Sequence, residues 1–180
     1  GDLFDGTPLD ADRAAAPLRE LLPPLGVFFT EGNHEEFSNP APFVNAVKRV
    51  GVRVLENEIV DVDGLQVLGV PYRHATHAEH LRSVLTQLRI DRARASILIC
   101  HAPDHPEVAE EAGISLQVSG HTHLGQMFPY TLIARRIYRQ FAYGLSRIGG
   151  LQVYTSSGAG TWGPPLRVGS PAEVVLIRVE

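Results

Sequence analysis

Cysteine is almost missing from this sequence, and long apolar stretches and basic tracts are missing altogether. With Cys100 as the single cysteine there can be no internal disulfide and no paired-cysteine zinc site. No segment of the given sequence approaches the roughly 20 consecutive apolar residues that a membrane-crossing helix needs. An initiator Met is lacking too: the sequence starts Gly1-Asp2-Leu3-Phe4-Asp5, so residues upstream of Gly1 are expected in the biological protein. The net charge is −4 with no long Lys/Arg tract, which disfavours gripping nucleic acid by counterion release.

What is present is the composition of one ordinary globular domain: 180 residues, 44% hydrophobic and 20% charged, enough for a substantial core. The 17 Gly and 13 Pro gather in turn-like runs such as Thr161-Trp162-Gly163-Pro164-Pro165, which predicts working loops between short elements. Helices are expected over Asp10–Leu22, capped by Asp10 and stopped by Pro23-Pro24, and over Pro42–Val50, Ala78–Leu88 and Glu107–Ala112. Short strands are expected at Val27–Thr30, Val52–Leu55, Ser96–Cys100, Leu116–Val118, Leu151–Thr155 and Val174–Val179, with a hairpin over Ile59–Leu68. Tyr130–Tyr143 reads as an amphipathic or irregular helical insertion. The alternation makes an α/β fold, and the hairpin makes its sheets mixed.

Four segments share one design, in which a buried strand delivers Asp, Asn or His at its carboxyl end, where open α/β sheets place ligands. They are Gly1-Asp2-Leu3-Phe4-Asp5, Gly32-Asn33-His34-Glu35, Cys100-His101-Ala102-Pro103 and Gly120-His121-Thr122-His123. Imidazole, carboxylate and amide oxygen together suit Mn, Fe, Zn or a similar divalent ion better than Ca or Mg alone. Two ions are favoured over one, because a carboxylate such as Asp2 can bridge a pair about 3.5–4 Å apart that activates water and clamps a phosphoryl group. Bound cations would also let an acidic protein accept a substrate with one or two phosphates.

In that order the motifs GDLFDG, EGNHE, CHAP and SGHTHLGQ resemble the calcineurin-like metallophosphoesterases. The tail from Ser157 to Arg167 and Gly169 to Glu173 is similar to the bacterial branch that includes the YkuE and YaeI phosphodiesterases. The resemblance implies a single domain over residues 1–180, a four-layer α/β/β/α sandwich of two mixed sheets with metals at one edge, lacking its first strand. It implies that Asp2 is the bridging ligand, that Asn33, His101 and His121 complete one metal site, and that His123 serves the other. His34 would be the catalytic acid and Asp5 the partner that orients it. The implied reaction is hydrolysis of a phosphodiester or pyrophosphate by a metal-bridging hydroxide. The family opens with a strand ending in Asp-x-His, which would lie upstream of Gly1 and which nothing here replaces. One of the two metal sites is therefore expected to be weak or empty in this chain.

Other residues carry two readings each. His74, His77 and His80 fall at regular spacing and are best explained as the solvated start of a helix, although Arg73 and His74 could face a substrate. Trp162 could stack on a base or sugar, or anchor its own loop. Tyr130–Tyr143 mixes aromatics with arginines; it could rest on a membrane, bind the non-phosphate part of a substrate, or simply cover a sheet edge. The expected partner is a phosphorylated small-molecule or lipid-linked substrate, with membrane association through the absent N-terminal part or through Tyr130–Tyr143. The rival reading is a metal-binding scaffold of the same fold without turnover; a nuclease is held back by the missing basic surface.

Overall fold

The computed structural model describes residues 1–5, 10–37 and 39–179. Helix α1 covers Ala11–Ala15, and the Asp10 side chain caps it by accepting a hydrogen bond from the Arg13 N–H at 3.1 Å. The chain then tightens into a 3₁₀ turn over Ala16–Glu20 instead of continuing as α-helix to Leu22, as the sequence suggested. Pro17 is the physical reason, since it has no N–H to give and its ring crowds the preceding turn.

Strand β1 (Phe28–Phe29) pairs in parallel with β2 (Arg53–Val54), and helix α2 (Ala41–Arg49) joins them. Strands β3 (Glu58–Val62) and β4 (Leu65–Val70) form the expected hairpin. Its turn residues Asp63 and Gly64 both have positive φ, as a two-residue hairpin loop requires. After them come α3 (Tyr72–Ala75), α4 (Ala78–Gln87), β5 (Ser96–Cys100), α5 (Pro106–Ala112), β6 (Leu116–Ser119), α6 (Tyr130–Tyr138), β7 (Gly144–Ile148) and β8 (Leu151–Thr155). The larger sheet has the order β3-β4-β5-β6-β8-β7, with four parallel inner strands and antiparallel edges.

Side-chain alternation along these strands builds the layers. In β4 and β5, Leu68, Val70, Leu98 and Cys100 point to one face and pack with Leu81, Val84, Leu85 and Val108 of α4 and α5. Val67 and Ile99 point to the other face and meet Leu55, Val60 and Phe28, so this cluster lies between the two sheets. A third cluster, with Phe4, Ala15, Ala46, Val47 and Val54, seals α1 and α2 onto the smaller sheet. The result is helices, small sheet, large sheet and helices in sequence, the four-layer arrangement expected. Each fully buried leucine of the main core, Leu68, Leu81, Leu98 and Leu151, contributes about 2–3 kcal/mol by leaving water. The sheets meet closely at Gly69, where an added Cβ would stand 2.2 Å from the Leu55 Cβ.

One further expectation needs correction, and two elements were missed. The run Val174–Val179 is not a strand: Val174 is 92% and Leu176 90% exposed, and the segment lies across a cavity beside Leu116, Leu145 and Tyr154 rather than along a sheet edge. An apolar run becomes a strand only where a neighbour supplies the hydrogen-bond ladder. The Tyr130–Tyr143 run is the irregular helical insertion expected: α6 stops at Tyr138, Arg139 adopts φ +52°, and a 3₁₀ turn continues to Ala142. The sequence reading also missed α3 and β7. Strand β7 pairs with β8 through the Gly149-Gly150 turn, but its apolar pattern is weak, since Leu145 shares the exposed face with Arg147.

Candidate metal centre

Because β4, β5, β6 and β8 run parallel, their carboxyl ends open along one edge of the larger sheet. There β5 runs into His101, and β6 runs into Gly120-His121-Thr122-His123, while β1 leads through Thr30 to Asn33 and His34. Segments remote in sequence thus converge. The His101 Nε2 lies 3.0 Å from Asp2 Oδ2, 3.1 Å from Asn33 Oδ1 and 3.1 Å from His121 Nδ1. Ligand atoms of Asp2, His101 and His121 all fall within 4.8 Å of one another. They line a cavity of about 650 Å³ together with His34, His123, Asp5, Ser157 and Trp162.

Aiming these side chains requires unusual backbone. Asp2, His121 and His123 take φ of +56°, +66° and +48°, a region that L residues enter only under constraint. Glu35 supplies part of that constraint. It is fully buried, and its carboxylate accepts N–H bonds from Asp2 at 2.8 Å, Gly32 at 2.7 Å and Phe4 at 3.2 Å. One side chain therefore ties the Asp2 segment to the Asn33-His34 turn. Gly32 permits the contact, since a Cβ there would meet Asp2 Oδ1 at 2.1 Å. Asp2 Oδ1 in turn accepts from the His34 backbone N–H at 2.9 Å.

The charge states suit a cation. Burial pushes the Asp2 carboxyl up, but the His101 hydrogen bond and charge and the His34 N–H together outweigh it and hold Asp2 at about 2. Burial, reinforced by His101, drives His121 down to about 4. Burial also lowers His101, against the pull of Asp2, and lowers His123, helped by Arg167. An ionised carboxylate beside neutral imidazoles is the protonation state that metal ligation demands. The spacing fits as well. Three donors stand about 3 Å from the His101 Nε2, the edge length of a coordination polyhedron with bonds of about 2.1 Å.

Not every expected residue belongs to this cluster. His123 lines the cavity but stands outside the Asp2, His101 and His121 group, with its Nδ1 3.4 Å from an Arg167 guanidinium nitrogen. His34 also lines it, and its Nε2 is 3.9 Å from Asp2 Oδ2. The His34 Nδ1 is buried without a hydrogen-bond partner among the described residues, so the expected orienting contact from Asp5 is not made at that nitrogen. Arg73 is engaged by Glu31 at 3.1 Å, Glu36 at 3.2 Å and Glu56, and so it ties α3 to the Glu31–Glu36 turn instead of facing the cavity. His74 pairs with Asn57 Nδ2 at 2.6 Å and packs on His80 at 4.7 Å, also away from the cavity. The Trp162 indole is exposed at the cavity rim, while its backbone is held from both sides by buried Gln126 through 2.7 Å bonds. Sequence reasoning overlooked Glu35, Tyr72 and Tyr138. The two tyrosine rings lie 5.5 and 6.2 Å from the His121 ring, and the only hint was an aromatic beside each polar segment.

A layered α/β fold with a carboxylate, an amide and imidazoles gathered at the carboxyl edge of its sheet defines a metal-binding protein. Comparison with known families makes this specific: residues 1–125 match the calcineurin-like phosphoesterases. The chain belongs to the calcineurin-like metallophosphoesterase family, whose members normally bind divalent metals. It is 32% identical over 183 residues to an uncharacterized metallophosphoesterase of Helicobacter pylori, covering 99% of this chain and 49% of that protein. It is 32% identical over 195 residues to one of Aquifex aeolicus, covering 100% of this chain and 70% of the relative. A Bos taurus transmembrane protein with metallophosphoesterase domain is 32% identical over 200 residues, covering 100% of this chain and 44% of that protein. The chain thus spans about half the length of the Helicobacter and bovine relatives. No solved structure matches it significantly.

Proposed function

We propose that this chain hydrolyses phosphodiester or pyrophosphate bonds with divalent ions bound in the cavity, the first held by Asp2, Asn33, His101 and His121. The observation that carries the proposal is the meeting of these four ligands, from four distant segments, around the His101 Nε2. When bound, such ions lower the pKa of water and polarise a phosphoryl oxygen. Asp2 supplies the negative charge, and buried His121 stays neutral and ligating down to about pH 4. His123, across the same cavity, is assigned to the second ion. We assign His34 as the acid: it is 8% exposed, its Nδ1 has no partner among the described residues, and it can hold a ring proton for the leaving oxygen. No covalent intermediate is involved, and a water molecule attacks the phosphorus directly.

Bis-p-nitrophenyl phosphate with manganese tests this reading. Turnover that chelation abolishes and manganese restores is expected, and His34→Ala should lose roughly 10²–10⁴-fold in kcat while keeping its metal. Wild-type turnover in His34→Ala would remove the acid role. A protein that binds manganese yet is inert on phosphodiesters and pyrophosphates with every divalent ion is the scaffold instead.

A further inference from the structure

Charge is divided unevenly along this chain. All 20 Asp and Glu lie outside residues 112–172, whereas five of the 16 Lys and Arg lie inside that stretch. A protein of net charge −4 therefore contains a 61-residue segment with arginines at 135, 136, 139, 147 and 167 and no carboxylate. Helix α6 stands in this segment, and its packing is inverted relative to an ordinary surface helix. Its buried positions are the small residues Thr131 and Ala134, while Tyr130, Leu132, Ile133 and Ile137 are between 51% and 64% exposed. Arg135, Arg136 and Arg139 are exposed among them.

The apolar surface continues beyond the helix. Phe128 and Leu166 are 64% and 53% exposed, and backbone bonds between Phe128 and Val168 and between Val168 and Gln126, both 2.9 Å, hold the two segments together. Large apolar side chains interleaved with arginines, on a segment that itself carries no acid, complement an anionic phospholipid headgroup layer over an acyl boundary. Long arginine stems can lie along the apolar surface and present their guanidinium groups to phosphate. None of the described helices is long and apolar enough to cross a bilayer, so this contact is one of lying on the interface.

We infer that α6 and the adjoining Phe128 and Leu166 loops form a docking face for an anionic phospholipid surface. The face borders the cavity: the Tyr138 ring at the end of α6 meets the His121 ring edge-on at 6.2 Å, and the Trp162 loop forms the cavity rim. Docking thus turns the metal site toward the membrane, which selects phosphoesters presented at a lipid interface. That last clause rests on the proposed hydrolase reading; the docking does not.

The test uses the manganese-loaded protein with vesicles of pure phosphatidylcholine or with about a third phosphatidylserine, followed by hydrogen exchange of the peptide spanning residues 128–139. Protection of this peptide is expected with phosphatidylserine only, and it should weaken as salt is raised. An arginine near an anionic surface is worth about fivefold in binding, so Arg135→Gln with Arg136→Gln should weaken protection roughly 20- to 30-fold in lipid concentration. Ile133→Ser with Ile137→Ser should weaken it as well. Hydrolysis of water-soluble bis-p-nitrophenyl phosphate should be unchanged in both double variants, so a failed docking result is distinguishable from a failed hydrolase reading. Absence of phosphatidylserine-dependent protection, or protection indifferent to both double variants, overturns the inference. Protection that depends on protein concentration and not on lipid would assign the face to a second copy of the chain.

Discussion

Replacing Glu35 by Gln isolates what the buried clamp does. In the native protein its carboxylate accepts three backbone N–H bonds, from Asp2, Gly32 and Phe4, with no exposure to water. Glutamine keeps the size but has one acceptor oxygen, and its amide turns two further donors toward N–H groups. With its oxygen where Oε2 was, it keeps the Asp2 and Gly32 bonds without their charge and loses the Phe4 bond against a donor, so the variant should be destabilised by roughly 2–4 kcal/mol. For a domain of this length that lowers the melting temperature by on the order of 10 °C. Asp2 is also held less firmly at its backbone, and manganese affinity should fall about 10- to 100-fold, the usual effect of weakening a group that supports a ligand. Calorimetry on chelator-treated protein reads the first effect, and titration with manganese reads the second. A melting temperature within about 2 °C of wild type, combined with unchanged manganese affinity, would refute the clamp.

Two further outcomes follow from other parts of the structure. His121 titrates near 4 when folded and near 6.5 when unfolded, so the unfolded chain takes up the extra proton between those values. Metal-free protein should therefore lose stability as pH falls from about 6.5 to 4, by roughly 3 kcal/mol from this residue, and lose no more from it below that. Thermal melts of His121→Ala across the same range should show a shallower slope, and an identical slope would contradict the assignment. Gly69→Ala forces a Cβ against Leu55 between the sheets and should destabilise by about 1–3 kcal/mol in denaturant titration, with manganese binding intact. An unaffected midpoint would mean that the sheets can part more easily than their packing indicates.

The residues that meet at the cavity were legible in the sequence as polar groups in short Gly- or Cys-led motifs, two of them, His101 and the Gly120-His121 turn, directly following apolar strands. Asp2, Asn33, His101 and His121 are polar residues placed where burial alone would favour aliphatic ones. Asp10 as a helix cap and Asp63-Gly64 as a hairpin turn were legible for similarly local reasons. What escaped were properties of pairing across space. Glu35 acts through backbone N–H groups, which leave no mark in the composition of their neighbours. Arg73 looked available for a substrate until Glu31, Glu36 and Glu56 were brought around it by the fold. Val174–Val179 had every strand propensity and lacked only a neighbour.

The left-handed residues of the Gly120–Gln126 turn set stability against function. His121, His123, Leu124 and Gln126 all carry positive φ, and each costs of order 1 kcal/mol relative to a relaxed conformation. Glycine at any of these positions would ease the strain, and at 121 or 123 it would delete an imidazole from the cavity. Selection for heat tolerance alone would thus favour glycine at 121 and 123, at the expense of two imidazoles that line the cavity.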